Sequence, residues 1–307
     1  MARKVILVAD PGIDGAFAVA LALRDPNLEL IGLAATAGNV SAEQATRNVH
    51  ILIEQFDPPR WPRLGAALPS DYGTDAVKLH GPGGLGGLDF PCAQLHHPHP
   101  SDKLLSDLVR LHPKEVAVVL LGPASVFARA LDRDPELATM IERLVVVGGT
   151  WHEPGDASAV AEFHFFCDPT AARQVLRCGV PLTLLPLDVT RKLLFAPTEL
   201  LQLPSPESRT TRFLRQIVPH GIAPTSSLYG VEGFYLQDVL GLIPLSLPGA
   251  LTTRAVSADV EVRGELTRGM SVFDVRWANT AKPNVELAVG VDVPAVRQYI
   301  QRTLAEE

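Results

Sequence analysis

The chain has 307 residues, with 27 Lys and Arg against 34 Asp and Glu for a net charge of −7, and it is 47% hydrophobic and 20% charged. The absence of a basic cluster argues against nucleic acid as a partner, and no uncharged apolar run of about 18 residues marks a membrane span. The size and hydrophobic content fit a soluble globular protein, read as a single domain over 1–307, and three cysteines without metal-type pairing (Cys92, Cys167, Cys178) fit a reducing, cytoplasmic setting.

The opening MARKVILVAD is basic and then apolar, but the apolar run is short and enters Asp10-Pro11-Gly12 directly. It reads as a first strand over 4–9 rather than a signal peptide. A helix is expected over 13–23, a strand over 28–36, and a helix to about 56 that opens on a Ser41/Gln44 capping box. Further along come a helix over 101–112, a strand over 116–121, helices over 125–130 and 135–143, and a strand over 144–147 that ends in Gly148-Gly149. Asp168-Pro169 is an N-cap followed by proline at the first helical position, with Gly179 as the stop, and 182–187 is a further strand. Residues 57–100 and 195–250 are rich in proline and irregular, and 255–291 alternates like strands around a Gly264-Glu265 turn. Continuously apolar strands that alternate with helices specify an α/β fold, a mainly parallel open sheet covered on both faces. Ligands of such sheets bind at the carboxyl ends of the strands, so Asp10, Asn39, Gly122-Pro123 and Gly148-Gly149 belong to one rim.

Several residues have two readings on their own. Asp10 and Asp14 in Val8-Ala9-Asp10-Pro11-Gly12-Ile13-Asp14-Gly15 are helix caps, or they hold a hard cation or act as a base. Asn39 is a turn residue or a ligand contact. The glycine-rich stretch 81–87 lacks a Gly-Lys-Ser/Thr ending and is not a P-loop; it is a mobile surface loop or a lid. His96, His97 and His99 read as a solvated loop. Glu162 and His164 share a side if extended, and Asp238 inside an apolar run needs donors, a cation or a capping role.

Taken together these motifs resemble the inosine-uridine-preferring nucleoside hydrolase family. The family's Asp-x-Asp-Pro-Gly-x-Asp-Asp signature stands here as residues 8–15. Gly38-Asn39-Val40-Ser41, His80-Gly81, Gly122-Pro123-Ala124-Ser125, Ala161-Glu162-Phe163, Leu187-Asp188-Val189-Thr190 and Gly264-Glu265-Leu266-Thr267-Arg268-Gly269 follow in order over nearly the whole chain. The resemblance implies a hydrolase that splits ribonucleosides into base and ribose with an Asp-activated water, Ca²⁺ holding the ribose diol and the water. It implies Asp10 as base and metal ligand, with Asp238 and the Ser125 carbonyl as further ligands. Asp14, Asn39 and Glu162 would bind the ribose, and His80 belongs to the active-site loop; apart from the resemblance, the aromatic residues Trp151, Tyr229, Phe234 and Tyr235 either flank the base or belong to the core. The resemblance also implies a homo-oligomer acting on a small nucleoside or riboside.

The departures cluster at the pocket. Val8 and Gly15 replace two signature aspartates, Asp156 and His164 stand where asparagines are usual, and Gln237 replaces a frequent histidine next to Asp238. Gly15 leaves two carboxylates and one carbonyl for an ion that takes 6–8 oxygens, so waters must complete the shell. Gln237 has no acidic proton, whereas His164 beside Glu162 can charge near neutral pH and supply positive charge of its own. The expected function is ribonucleoside hydrolysis; the alternatives are a catalytically impaired nucleoside- or ribose-binding homologue and a hydrolase for a modified riboside.

Overall fold

Strands that are apolar at every position, rather than at alternate ones, must be covered on both faces. Residues 116–121 (VAVVLL) are buried at all six positions and 182–185 (LTLL) at all four. The computed structural model describes all residues except 1, 71, 73–76, 94–97, 277–280 and 306–307, and it places these segments inside a nine-stranded sheet. The strands are β1 (Arg3–Ala9), β2 (Leu28–Ala35), β3 (Arg63–Gly65), β4 (Val116–Leu121), β5 (Arg143–Val147) and β6 (Leu182–Leu185), then β7 (Leu194–Phe195), β8 (Phe234–Tyr235), β9 (Leu251–Val260), β10 (Ser271–Asp274) and β11 (Val285–Val291). Their order is β10-β9-β11-β6-β5-β4-β1-β2-β3, with β7 and β8 forming a separate ribbon. Pairings from β11 to β3 are parallel, and β9 and β10 add an antiparallel edge.

Along β1, Val5, Leu7 and Ala9 enter one hydrophobic cluster while Ile6 and Val8 enter another on the opposite face. The first cluster contains Phe17, Leu52 and Phe213, the second Leu105, Phe127 and Val175, so helices cover both faces as the apolar strands require. From β1 the chain steps outward to β2 and β3; from β4 it steps the other way to β5 and β6. Connections that leave neighbouring strands in opposite directions open a crevice at their carboxyl ends, and Asp10 and Gly122 are the first residues past those ends.

Several expectations change. The helix over 135–143 shrinks to Leu137–Met140, because Ile141 turns extended and Arg143 already pairs with Ala117. The strand over 182–187 stops at Leu185, and a helical turn, Leu187–Thr190, follows Pro186. Half of the capping box forms: Ser41 Oγ accepts from Gln44 N at 3.3 Å, but the Gln44 amide donates to Asn48 Oδ1 at 2.8 Å. The helix before Gly179 ends earlier, at Leu176. The proline-rich region contains a helix of 21 residues, Arg209–Tyr229, despite Pro219 and Pro224. Its Phe213, Leu214, Ile217 and Val218 are core residues, and that burial outweighs two missing N–H groups. A last helix, Val293–Ala305, is tied down by Tyr299, whose hydroxyl donates to Asp25 Oδ2 at 2.9 Å.

The glycine-rich loop is packed rather than splayed. Leu85 is buried, Gly86 N donates to His80 O at 2.9 Å, and the Asn48 amide bridges Pro11 O and Gly83 O. His96 and His97 lie outside the described residues, and His99 pairs with Asp107 at the surface. Among the described residues no helix is long and apolar enough to cross a membrane.

Asp168 joins two elements under the rim. Its Oδ1 accepts from Ala171 N at 3.0 Å, capping Pro169–Leu176, and its Oδ2 accepts from the Ser125 hydroxyl at 2.6 Å. Asp168→Ala removes both bonds and is expected to cost about 1–3 kcal/mol. A urea midpoint equal to that of the natural chain would contradict this account.

Candidate active site

Asp10 stands at the switch point and is 1% exposed. Its Oδ2 accepts from Asn39 N at 2.6 Å, and the Asn39 side-chain amide donates back to Asp10 O at 3.1 Å. Its Oδ1 is buried and has no hydrogen-bond partner. The neighbouring strand ends approach so closely that a Cβ at position 38 would lie 1.8 Å from Oδ2, and one at 122 would lie 2.7 Å from Oδ1. Glycine at both positions is therefore a steric requirement of the buried carboxylate. Burial pushes the Asp10 pKa up to about 7, against the opposing pull of His164 and the Asn39 N–H. A carboxylate poised near neutrality, with one oxygen uncommitted, suits a general base.

The crevice opens into a cavity of about 690 Å³ whose wall includes Asp14, Asn39, His80, Glu162, His164 and Asp238. Asp14 comes from the first turn of Ile13–Arg24, and its Oδ2 accepts from Asp238 N at 3.4 Å. His80 Nδ1 accepts from Ile13 N at 3.2 Å, which places the ring proton on Nε2, 4.0 Å from Asp14 Oδ1. Burial lowers the His80 pKa, so the ring is a neutral donor. Glu162 caps the short helix Phe163–Cys167: its carboxylate accepts from His164 N, Phe165 N and Gly149 N at 2.9, 3.1 and 3.0 Å.

His164 is placed by that same helix. Its Nδ1 lies 3.1 Å from Val147 O and 3.5 Å from Glu162 Oε1, and its Nε2 lies 4.0 Å from Asp10 Oδ1. Burial opposes charge on the ring, but Glu162, Asp10 and the Val147 carbonyl outweigh it and hold the pKa at about 8. Asp238 is pushed well above the usual carboxylate range by burial, with Asp14, Asp10 and Glu162 adding to the effect. Asp156, whose Oδ1 accepts from Phe163 N at 2.8 Å, is raised to about 6 by burial and Glu162, with Arg191 opposing.

The structure thus gathers Asp14, Asn39, His80, Asp156, Glu162, His164 and Asp238 around one cavity, while Asp10 lies behind that wall, bonded to Asn39 N and 4.0 Å from His164 Nε2. Trp151 is a correction: it does not line the cavity. Its indole stacks on His152 at 4.1 Å and packs on the second core near Phe273, because Trp151 N is drawn to Asp188 Oδ2 at 2.8 Å. Ser125 is also outside the lining; its hydroxyl serves Asp168 and lies 3.2 Å from the Tyr72 hydroxyl. Sequence reasoning missed Arg191, which lines the cavity 5.5 Å from the centre of the Tyr229 ring and 3.9 Å from Asp156. Its only signal was its place directly after Leu187-Asp188-Val189-Thr190.

The calcium ion implied by the sequence resemblance does not fit this donor set. Position 15 carries no side chain, and a Cβ there would sit 3.1 Å from Asp238 Oδ2. Asp10 Oδ1 has the His164 imidazole beside it, Nε2 at 4.0 Å. Among the described residues no group of three or more His, Cys, Asp or Glu is arranged to hold a metal ion.

Comparison with known proteins bears on family and fold. The family model of the inosine-uridine preferring nucleoside hydrolase matches residues 5–298. A non-specific ribonucleoside hydrolase, RihC, of Escherichia coli (strain SMS-3-5 / SECEC) is 32% identical over 310 residues, covering 99% of each chain. Among solved structures, a plant nucleoside hydrolase (PpNRh1) superimposes with a TM-score of 0.92 at 26% identity over 100% of both chains. A purine-preferring ribonucleoside hydrolase from Gardnerella vaginalis gives 0.91 at 28% identity, covering 99% of this chain and 98% of the other.

A carboxylate whose pKa rises from 3.8 to about 7 on folding binds its proton more tightly in the folded state. It therefore costs stability progressively as pH climbs from about 4 to about 7, and the full cost persists above that. Asp10→Asn keeps the acceptor for Asn39 N and removes the charge. The variant is expected to be more stable than the natural chain by roughly 1–3 kcal/mol at pH 8, with the difference vanishing near pH 4. Thermal melts at the two pH values check this, and equal stability at pH 8 would sink it.

Proposed function

The chain belongs to the inosine-uridine preferring nucleoside hydrolase family, and from that membership we propose that it cleaves the N-glycosidic bond of ribonucleosides to free base and ribose, with Asp10 activating the attacking water. One observation carries the assignment of roles: a buried carboxylate oxygen, Asp10 Oδ1, has no partner and stands at the switch point beside a cavity walled by further carboxylates. A water proton passes to Asp10 as the water oxygen bonds to the anomeric carbon. The carbon–nitrogen bond breaks with its electron pair leaving on the base, which takes a proton from solvent. The positive charge that develops on the sugar is met by Asp14 and Glu162, whose carboxylates already accept backbone N–H groups, so little reorganisation accompanies the reaction.

Ribose hydroxyls are bound by Asp14, Asn39 and Glu162 at the floor. Glu162 brings one carboxylate with most of its lone pairs already committed to backbone N–H groups, which makes it a rigid acceptor. His80, the neutral donor, and His164 flank that floor, and Asp156 lies beyond Glu162. The base lies toward the wall formed by Phe163, Tyr229, Tyr235 and Gln237. The Gln237 carbonyl accepts from the Thr190 hydroxyl at 2.9 Å, which leaves its amide hydrogens as neutral donors for that base. No step here passes through a metal. The sheet collects strands from residue 3 to residue 291, which supports a single domain over 1–307, and three free thiols support a cytoplasmic setting. A homo-oligomer completes the reading.

Asp10→Asn is expected to lower kcat on inosine or uridine by about 10²–10⁴ with little change in KM. Asp14→Asn is expected to act mainly on KM, because it loosens the ribose. Reducing-sugar release measures both, and an Asp10→Asn enzyme that turns over at the natural rate overturns the assignment.

A further inference from the structure

We infer that this site works without a divalent cation: its carboxylates are arranged around an empty side-chain position at Gly15 and an internal imidazole at His164, not around a metal. The inference rests on the hydrolase reading above and concerns how that same site carries its charge.

Gly15 is buried in the first turn of Ile13–Arg24, where the chain could hold almost any residue without backbone strain. The constraint on position 15 is its neighbour, because a Cβ there would approach Asp238 Oδ2 to 3.1 Å. The Asp238 carboxylate thus crowds the space that a side chain at 15 would use. A carboxylate added at 15 would stand beside Asp238 and one residue from Asp14, whose Oδ2 already accepts the Asp238 N–H. Three acids in a buried space repel one another unless a cation joins them. Without an acid at 15, the carboxylate ligands that the resemblance implies reduce to Asp10 and Asp238, far short of the 6–8 oxygens that calcium collects. The group of opposite character beside Asp10 Oδ1 is the chain's own, His164 Nε2 at 4.0 Å. The His164 ring is fixed from behind by Val147 O and Glu162, so it cannot swing away to admit an ion without breaking those contacts.

The test uses the natural chain, purified and dialysed against EDTA, with Ca²⁺ alone as the probe. Thermal melting and titration calorimetry are followed next to turnover of uridine and inosine with and without chelator. The expected result is a melting temperature and a turnover indifferent to both Ca²⁺ and EDTA, with no calorimetric binding. Gly15→Asp is expected to melt lower than the natural chain in EDTA and to gain a melting temperature that climbs with the logarithm of Ca²⁺ concentration. Gly15→Ala carries only the added Cβ and separates crowding against Asp238 from charge. A natural chain that binds Ca²⁺, melts higher with it, or loses turnover in EDTA and regains it with Ca²⁺ overturns the inference. If Gly15→Asp does not fold, the calorimetry on the natural chain still decides. If no riboside is hydrolysed in any buffer, the hydrolase reading fails while the melting and calorimetric results still decide the metal question.

Discussion

The structure is organised around one costly placement: the Asp10 carboxylate is buried just past the end of β1, where the connections from β1 and β4 leave in opposite directions. A carboxylate at 1% exposure needs donors, and it has one strong one, the Asn39 N–H at 2.6 Å, while its other oxygen has none. Everything near it yields to that group. Positions 38 and 122 carry no side chain because a Cβ would strike its oxygens, and the Asn39 side chain turns back to hold its carbonyl. Removing solvent raises its pKa toward neutrality, so the fold gives up stability to keep a proton acceptor in working order.

The remaining charges are handled by three different devices. Glu162 accepts from three backbone N–H groups, burial lowers the His80 pKa while its ring accepts the Ile13 N–H, and the His164 ring is held at Nδ1 by the Val147 carbonyl with Glu162 beside it. Asp238 and Asp156 sit deep enough that burial itself favours their protonated forms. A pocket crowded with acids is therefore far less negative than its letters suggest, which bears directly on how much attraction it holds for a hard cation.

Much of the scaffold was readable because its signals are local. Continuous apolar runs, the Asp168-Pro169 cap and the strand-end glycines each act within a few residues, and the strands β1, β4 and β5 stand within a residue of expectation. The misreadings arose where distant packing outranks local preference. Pro219 and Pro224 argue against a long helix, yet the buried face of Arg209–Tyr229 holds it together and delivers Tyr229 to the cavity. Trp151 has the size and polarity of a base-stacking residue, but Asp188, 37 residues on, binds its backbone and turns the ring onto the second core. Arg191 carried no signal by itself, because its role depends on Asp156 and Tyr229, which arrive from other segments.

The sequence alone determined the α/β architecture, the rim on which the acids lie and the family, since those follow from periodicity and from motifs whose spacing is fixed along the chain. It also displayed Gly15 and His164 as departures from the signature. Only the tertiary structure decided what those departures mean. Whether a missing carboxylate leaves a gap, and whether an added imidazole faces the base or the solvent, depends on distances of 3–4 Å between residues separated by up to 224 positions. Electrostatic interaction falls off with distance and depends on burial, and neither quantity is written in the order of the letters.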